Sequence, residues 1–180
     1  MQSHNLETKE TKLLKHLGNL RKMIVNHHDL DNLSEFVLHD LCGQSCFNLN
    51  KAAYFINNPD FRCLQGVSGY HEQDVKNLAG NAWDNKKLFM AHMQNSPFNQ
   101  KVRSNSTVNF EKGKASEKYM ADKLADELEI NNPLYVTWDL KHANHGLLIY
   151  EAPEQEIIHV KDHLFDALYY LSFCPVFLKA

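Results

Sequence analysis

The chain has 180 residues, of which 43% are hydrophobic and only 7 are Gly and 5 Pro, a balance that gives a globular core and excludes a disordered or low-complexity chain. A formal net charge of -3 argues against a general nucleic-acid binder, which carries a basic excess to neutralise phosphates. No apolar run approaches the ~20 residues of a membrane span, and the polar start MQSHNLETKETK has no secretory core, so a soluble, cytoplasmic protein with reduced cysteines is expected.

The first predicted element is an amphipathic helix within residues 1–28. Leu6, Leu13, Leu17, Leu20 and Ile24 fall on one helical stripe, with Asn5 as the cap. Such a stripe predicts docking onto the chain's own core, with a homodimer contact through this helix as the alternative. NHHDLDNL breaks the helix, and SEFVLHDLC predicts a second one through Leu33, Phe36, Val37 and Leu41. Two apolar runs, Ala52 to Ile56 and Phe61 to Val67, flank NNPD and read as a hairpin. Gly66 and Gly69 point to a bulge or a close backbone approach in its second strand.

HEQDVKNLAGNAW and NKKLFMAHM read as helical, with a break near Gly80 to Asn85. Residues 94–116, from Gln94 to Ser116, are polar with scattered apolar positions and are expected to form a long loop. Ser116 would cap a helix carrying the row Met120, Leu124 and Leu128, stopped by Asn131 to Pro133. LYVTWDL and GLLIYEA, around KHANHG, form a second hairpin. A last helix runs from about Gln155 to Phe173, with Val160, Leu164, Leu168 and Leu171 on its buried stripe. These elements predict a single α+β domain over residues 1–180: a small antiparallel sheet built from two hairpins and packed with several helices. The element order resembles that of ligand-sensing domains of the GAF or PAS type, although no motif of either family is present.

Four clusters could carry chemistry. His39, Cys42, Cys46 and Cys63 supply thiolates and an imidazole, a donor set suited to zinc, with Cys63 crossing from the hairpin. Their spacing is neither that of paired CxxC motifs nor that of a redox CxxC, and buried cysteines often act as small hydrophobes. Asp139, His142, His145 and Glu151 surround the second hairpin tip, where turn chemistry alone accounts for much of the composition. His159, Asp162, His163 and Asp166 form a polar stripe on the last helix, a pattern shared by metal sites and solvated faces. Lys112 and Lys114 flank Gly113 before a helix start and could contact a phosphate or carboxylate cofactor, but Val108 stands where a P-loop requires its first glycine. No GxSxG or GxGxxG motif is present.

Two functional readings follow. The first is a protein with a Cys/His metal site, zinc foremost, either structural or serving small-molecule chemistry. The second is a non-enzymatic ligand-binding or regulatory module, its small-molecule ligand held in an apolar pocket lined by aromatics such as Tyr54, Phe55, Trp138 and Tyr150. The metal reading makes the sharper claim on named residues.

Overall fold

The computed structural model describes residues 8–58, 62–76, 78, 80–108, 114–153 and 161–175. In chain order it contains α1 (Lys9–Asn26), α2 (Leu33–Cys42), β1 (Lys51–Asn58), β2 (Cys63–His71), α3 (Glu72–Val75) and α4 (Lys86–Asn95). There follow α5 (Pro97–Ser104), β3 (Ser106–Val108), α6 (Lys114–Glu127), β4 (Leu134–Asp139), β5 (His145–Glu151) and α7 (Lys161–Leu168), which tightens into a 3-10 turn over Tyr169–Phe173. The strands form one antiparallel sheet in the order β3-β2-β1-β5-β4. Both predicted hairpins are present, and the α+β class holds.

Both faces of the sheet are buried, which explains why β1 and β5 read as continuous apolar runs rather than alternating ones. Ala52, Tyr54 and Ile56 of β1 join Leu148 and Tyr150 of β5 in a core with α1, α2, α4 and α7. Ala53, Phe55, Leu147 and Ile149 face the other way, into a second core made with α5 and α6. The N-terminal stripe is consumed internally: Leu13, Leu17, Leu20 and Ile24 are all buried in the first core, leaving Leu14 and Val25 outside. The stripe is therefore docked on the chain's own core, as expected, and is not left exposed for the alternative homodimer contact. The side chain of Thr8, not Asn5, caps α1 by accepting the Thr11 N–H at 3.2 Å; Asn5 and Leu6 lie outside the described residues.

Among the described residues of the expected 94–116 loop, Pro97–Ser104 form α5 and Ser106–Val108 form β3; residues 109–113 lie outside the described residues. Ser96 caps α5 by accepting the Asn99 N–H at 3.2 Å, and Pro97 occupies the first helical turn, where its missing N–H costs nothing. Phe98 and Val102, four apart, bury this helix against β2. The polar residues around them are the solvated face of a short helix. α6 begins at Lys114, so Ser116 sits inside it rather than at its cap. Its end also precedes Asn131: Glu129 turns left-handed (φ 56°), with Glu129 N–H bonded to Asp126 O at 3.2 Å and Ile130 N–H to Ala125 O at 2.9 Å. That is the Schellman pattern, here with glutamate where glycine is usual.

The glycine expectation is met twice over. β2 carries a bulge at Val67, between the pairs Tyr54–Ser68 and Phe55–Gly66. A Cβ on Gly66 would lie 1.9 Å from the Val102 carbonyl oxygen, so α5 rests directly on the strand backbone. β4 is an edge strand, and among its residues only Trp138 is buried, stacked on Tyr54 with centroids 5.5 Å apart. Among the described residues no helix is long and apolar enough to cross a membrane.

Candidate functional site

The Cys/His set is not assembled. α2 ends at Cys42, Gly43 is its C-cap, and a turn over 44–47 carries Cys46 off the helical face. Cys42 is buried, and burial pushes both thiols well above their ordinary range, Cys42 further by its proximity to Cys46. The Cys42 thiol lies near the Tyr70 hydroxyl, whose pKa it helps to raise after burial. Tyr70 and Cys63 stand near opposite ends of β2, about 23 Å apart at ~3.3 Å per residue. Cys63 therefore cannot join Cys42 without dismantling the strand. His39 packs edge-on against Phe89 and Tyr70, with centroids at 5.0 and 5.8 Å, and burial lowers its pKa. Among the described residues no group of three or more His, Cys, Asp or Glu is placed to hold a metal ion.

The remaining predicted sites are dispersed. Asp139 and His145 pair at 2.8 Å across the second hairpin, while His142 sits in an exposed turn at φ 59°. Glu151 accepts the Asn131 N–H at 2.9 Å and the Asn50 amide at 3.3 Å, so it tethers loops. His163 contacts Glu10 at 3.2 Å, joining α7 to α1. His159 and Lys112 lie outside the described residues, as does the side chain of Lys114 at the start of α6. Tyr54, Trp138 and Tyr150 belong to one core and Phe55 to the other, so these aromatics fill the interior on two sides of the sheet and do not line a common pocket.

What the fold does build is a cleft of about 780 Å³, of mixed polar and apolar lining, between the start of α2, the middle of β2, α4 and α5. Its origin is topological. β3 pairs with β2 at Cys63, Leu64 and Gln65, so among the described residues β2 beyond Gln65 lacks a neighbouring strand on that side. Buried backbone groups must still be satisfied. Asn105 O accepts the Gly66 N–H at 2.9 Å, and Asn99 Oδ1 accepts the Gly69 N–H at 2.8 Å. A buried asparagine on α5 thus takes the place of a strand.

The same amide reaches the floor of the cleft. Asn99 Nδ2 donates to Glu35 Oε1 and to Met93 O, both at 2.9 Å. Arg103 Nη1 donates to Glu35 Oε1 at 2.8 Å, and Asn32 Nδ2 to Glu35 Oε2 at 2.8 Å. The Glu35 side chain is only 3% exposed, whereas that of Arg103 is 41% exposed. A buried carboxylate costs several kcal/mol of desolvation, which this arrangement offsets with three charge-assisted hydrogen bonds. Gln65 Nε2 donates to Arg103 O at 3.2 Å and to Asn105 O at 3.3 Å, fixing the end of α5 beside the cleft. The result is a rigid, charged floor open to solvent on one side.

These residues escape a motif search because they are far apart in sequence. One signal is visible: Glu35 interrupts the apolar run of a helix whose residues 33–38 are all buried. A carboxylate there requires a partner, and nothing in the local sequence says that α5 supplies it. A scan against protein-family models finds no match. Searches of curated proteins and of solved structures likewise return no significant match.

Proposed function

We propose that the chain is a non-enzymatic ligand-binding module and that the cleft over Glu35, Asn99 and Arg103 is its binding site, for a small polar molecule. The observation that carries this reading is the buried carboxylate of Glu35, held by Asn32, Asn99 and Arg103, at the base of an open cleft whose volume suits one small ligand. Fixed polar groups set the orientation of a ligand, while Val67, Met90, Met93 and Pro175 offer apolar contact. This replaces the apolar aromatic pocket anticipated from sequence. The Cys/His metal reading has weaker support, because the strand holds Cys63 away from Cys42 and raised thiol pKa values disfavour the ligating thiolate.

Thermal unfolding in the presence of a library of small polar metabolites tests the proposal. A ligand present at a hundred times its Kd adds ~2.7 kcal/mol, equivalent to a Tm rise of roughly 5–10 °C for a chain of this size. At least one compound is expected to raise the Tm of the wild type and to lose that effect with Arg103→Gln. A library with no stabilising compound, or one whose hits act equally on the variant, contradicts the assignment.

A further inference from the structure

The two edges of the sheet are finished differently. β3 is only three residues long, and beyond it α5 covers the edge of β2 through Asn99. β4 runs for six residues, LYVTWD, in unbroken register with β5. It contains no proline, lysine or bulge, and its one charged residue, Asp139, stands at the end. Among the described residues, no second strand and no backbone hydrogen bond from a loop or helix reaches its outer side. Half of the N–H and C=O groups of an edge strand point away from its single neighbour. A neutral edge of this length is a template for another strand, and sheets that stay alone usually block it with charge, proline or a bulge. A second feature lies beside this edge. Ser172 Oγ accepts the Trp138 indole N–H at 3.1 Å, which sets the turn after α7 against the end of β4. The next residue, Phe173, is 65% exposed. Tyr169 and Phe165, four and eight residues before it, are exposed as well and meet edge-on with centroids 5.9 Å apart. A ridge of bare rings beside a bare strand edge marks a protein-binding surface.

We propose that this surface pairs with a second copy of the chain, β4 beside β4 in antiparallel order, about a two-fold axis through Val136. The bare backbone calls for an extended strand, and the strand itself is self-complementary in this register. Residues that meet across a sheet must share a face. With Val136 on the axis they do: Leu134 meets the partner's Trp138, and Tyr135 meets the partner's Thr137. Aromatic and β-branched pairs of this kind stabilise a ladder, whereas like charges directly opposite would oppose it. None are opposed here, because Asp139 falls against the partner's Pro133. Leu134 and Tyr135 are both exposed in the single chain and both become covered. Val136 and Trp138 pack on the first core, the side on which α7 lies, so Leu134 of the same face is carried to that side of the partner. There the partner's Leu134 arrives at the end of β4 where Phe173 is bare. Each copy thus covers the exposed ring of the other, as an isologous two-fold contact requires. The cleft over Glu35 lies toward the other edge of the sheet, so this pairing leaves it open.

Analytical ultracentrifugation of the full chain across the micromolar range tests the proposal. The wild type is expected to approach twice the mass of the chain as its concentration rises. Tyr135→Lys combined with Thr137→Lys sets ammonium against ammonium across the axis, and Tyr135→Glu combined with Thr137→Glu sets carboxylate against carboxylate. Each double variant alone should stay monomeric, and an equimolar mixture of the two should recover the dimer. Phe173→Ser changes an exposed side chain and keeps the test valid if the strand variants fail to fold. It is expected to weaken dimerisation about tenfold with an unchanged circular dichroism spectrum. A wild type that stays monomeric throughout overturns the proposal. So does a dimer that survives undiminished in both double variants or in Phe173→Ser, and so does a mixture of folded double variants that remains monomeric.

Discussion

At the scale of single residues, the structure distinguishes positions that look alike in sequence. Gly18 lies within α1 with nothing within 4 Å of a Cβ, whereas a Cβ on Gly66 would strike the Val102 carbonyl. Gly18→Ala is expected to stabilise the protein by about 0.5–1 kcal/mol, through the lower helix propensity and greater backbone entropy of glycine. Gly66→Ala is expected to cost about 3 kcal/mol by lifting α5 off β2. Urea unfolding of the two variants reads both signs. Asn99→Asp would keep the oxygen that accepts from Gly69 but set a second carboxylate against Glu35 Oε1, where Nδ2 now stands at 2.9 Å. Like charges at this separation do not both ionise. The variant should lose about 3 kcal/mol or more at pH 7 and recover part of it on acidification, read by the same urea unfolding, because the folded pair then holds its shared proton at less cost.

At the scale of elements, two histidines that dock helices carry opposing pH dependences: His16 joins α1 to α2, and His39 joins α2 to α4 and β2. His16 Nε2 approaches Asp40 Oδ1 at 3.4 Å, and the Asp40 contact raises the His16 pKa against its partial burial. Asp40 also accepts the Trp83 indole N–H at 3.1 Å, tying the segment before α4 to the same carboxylate. A raised histidine pKa gives stability that is fully present below the unfolded value of 6.5 and is lost as pH rises through the folded value. His39 behaves oppositely. Burial lowers its pKa, so its contribution is present above 6.5 and is lost as pH falls through the folded value. The stability gap between wild type and His16→Gln should therefore be larger at pH 5.5 than at pH 8. Urea midpoints across that range check it, and a gap that widens toward pH 8 would remove Asp40 as the partner. The elements themselves show what sequence reveals. The rows Leu13–Leu17–Leu20–Ile24 and Met120–Leu124–Leu128 are legible because packing one helical face leaves a periodic trace. α5 is obscured because two buried apolar residues, Phe98 and Val102, are outnumbered by its polar face; the Ser96-Pro97 start was the available signal.

At the scale of the whole molecule, the legible part is the α+β class and the two hairpins. What the sequence conceals is that helices cover both faces of the sheet and that α5 crosses to the edge of β2 where β3 stops. The cleft arises from that crossing. It joins Asn32 and Glu35 at the start of α2 to Asn99 and Arg103 of α5, residues brought together only by three-dimensional packing. The cysteines mislead for the converse reason: Cys42, Cys46 and Cys63 are near in sequence, but a hairpin strand spends its length carrying Cys63 away. The most direct test of the cleft as a ligand site is a ¹H–¹⁵N spectrum of the full chain titrated with mixtures of small polar metabolites. The account predicts that an active mixture shifts the amide signals of Glu35, Gly66, Asn99 and Arg103 together, while those of Cys63 and the β4 edge stay in place. Mixtures that move no signal at the cleft, or that act only elsewhere on the molecule, would contradict it.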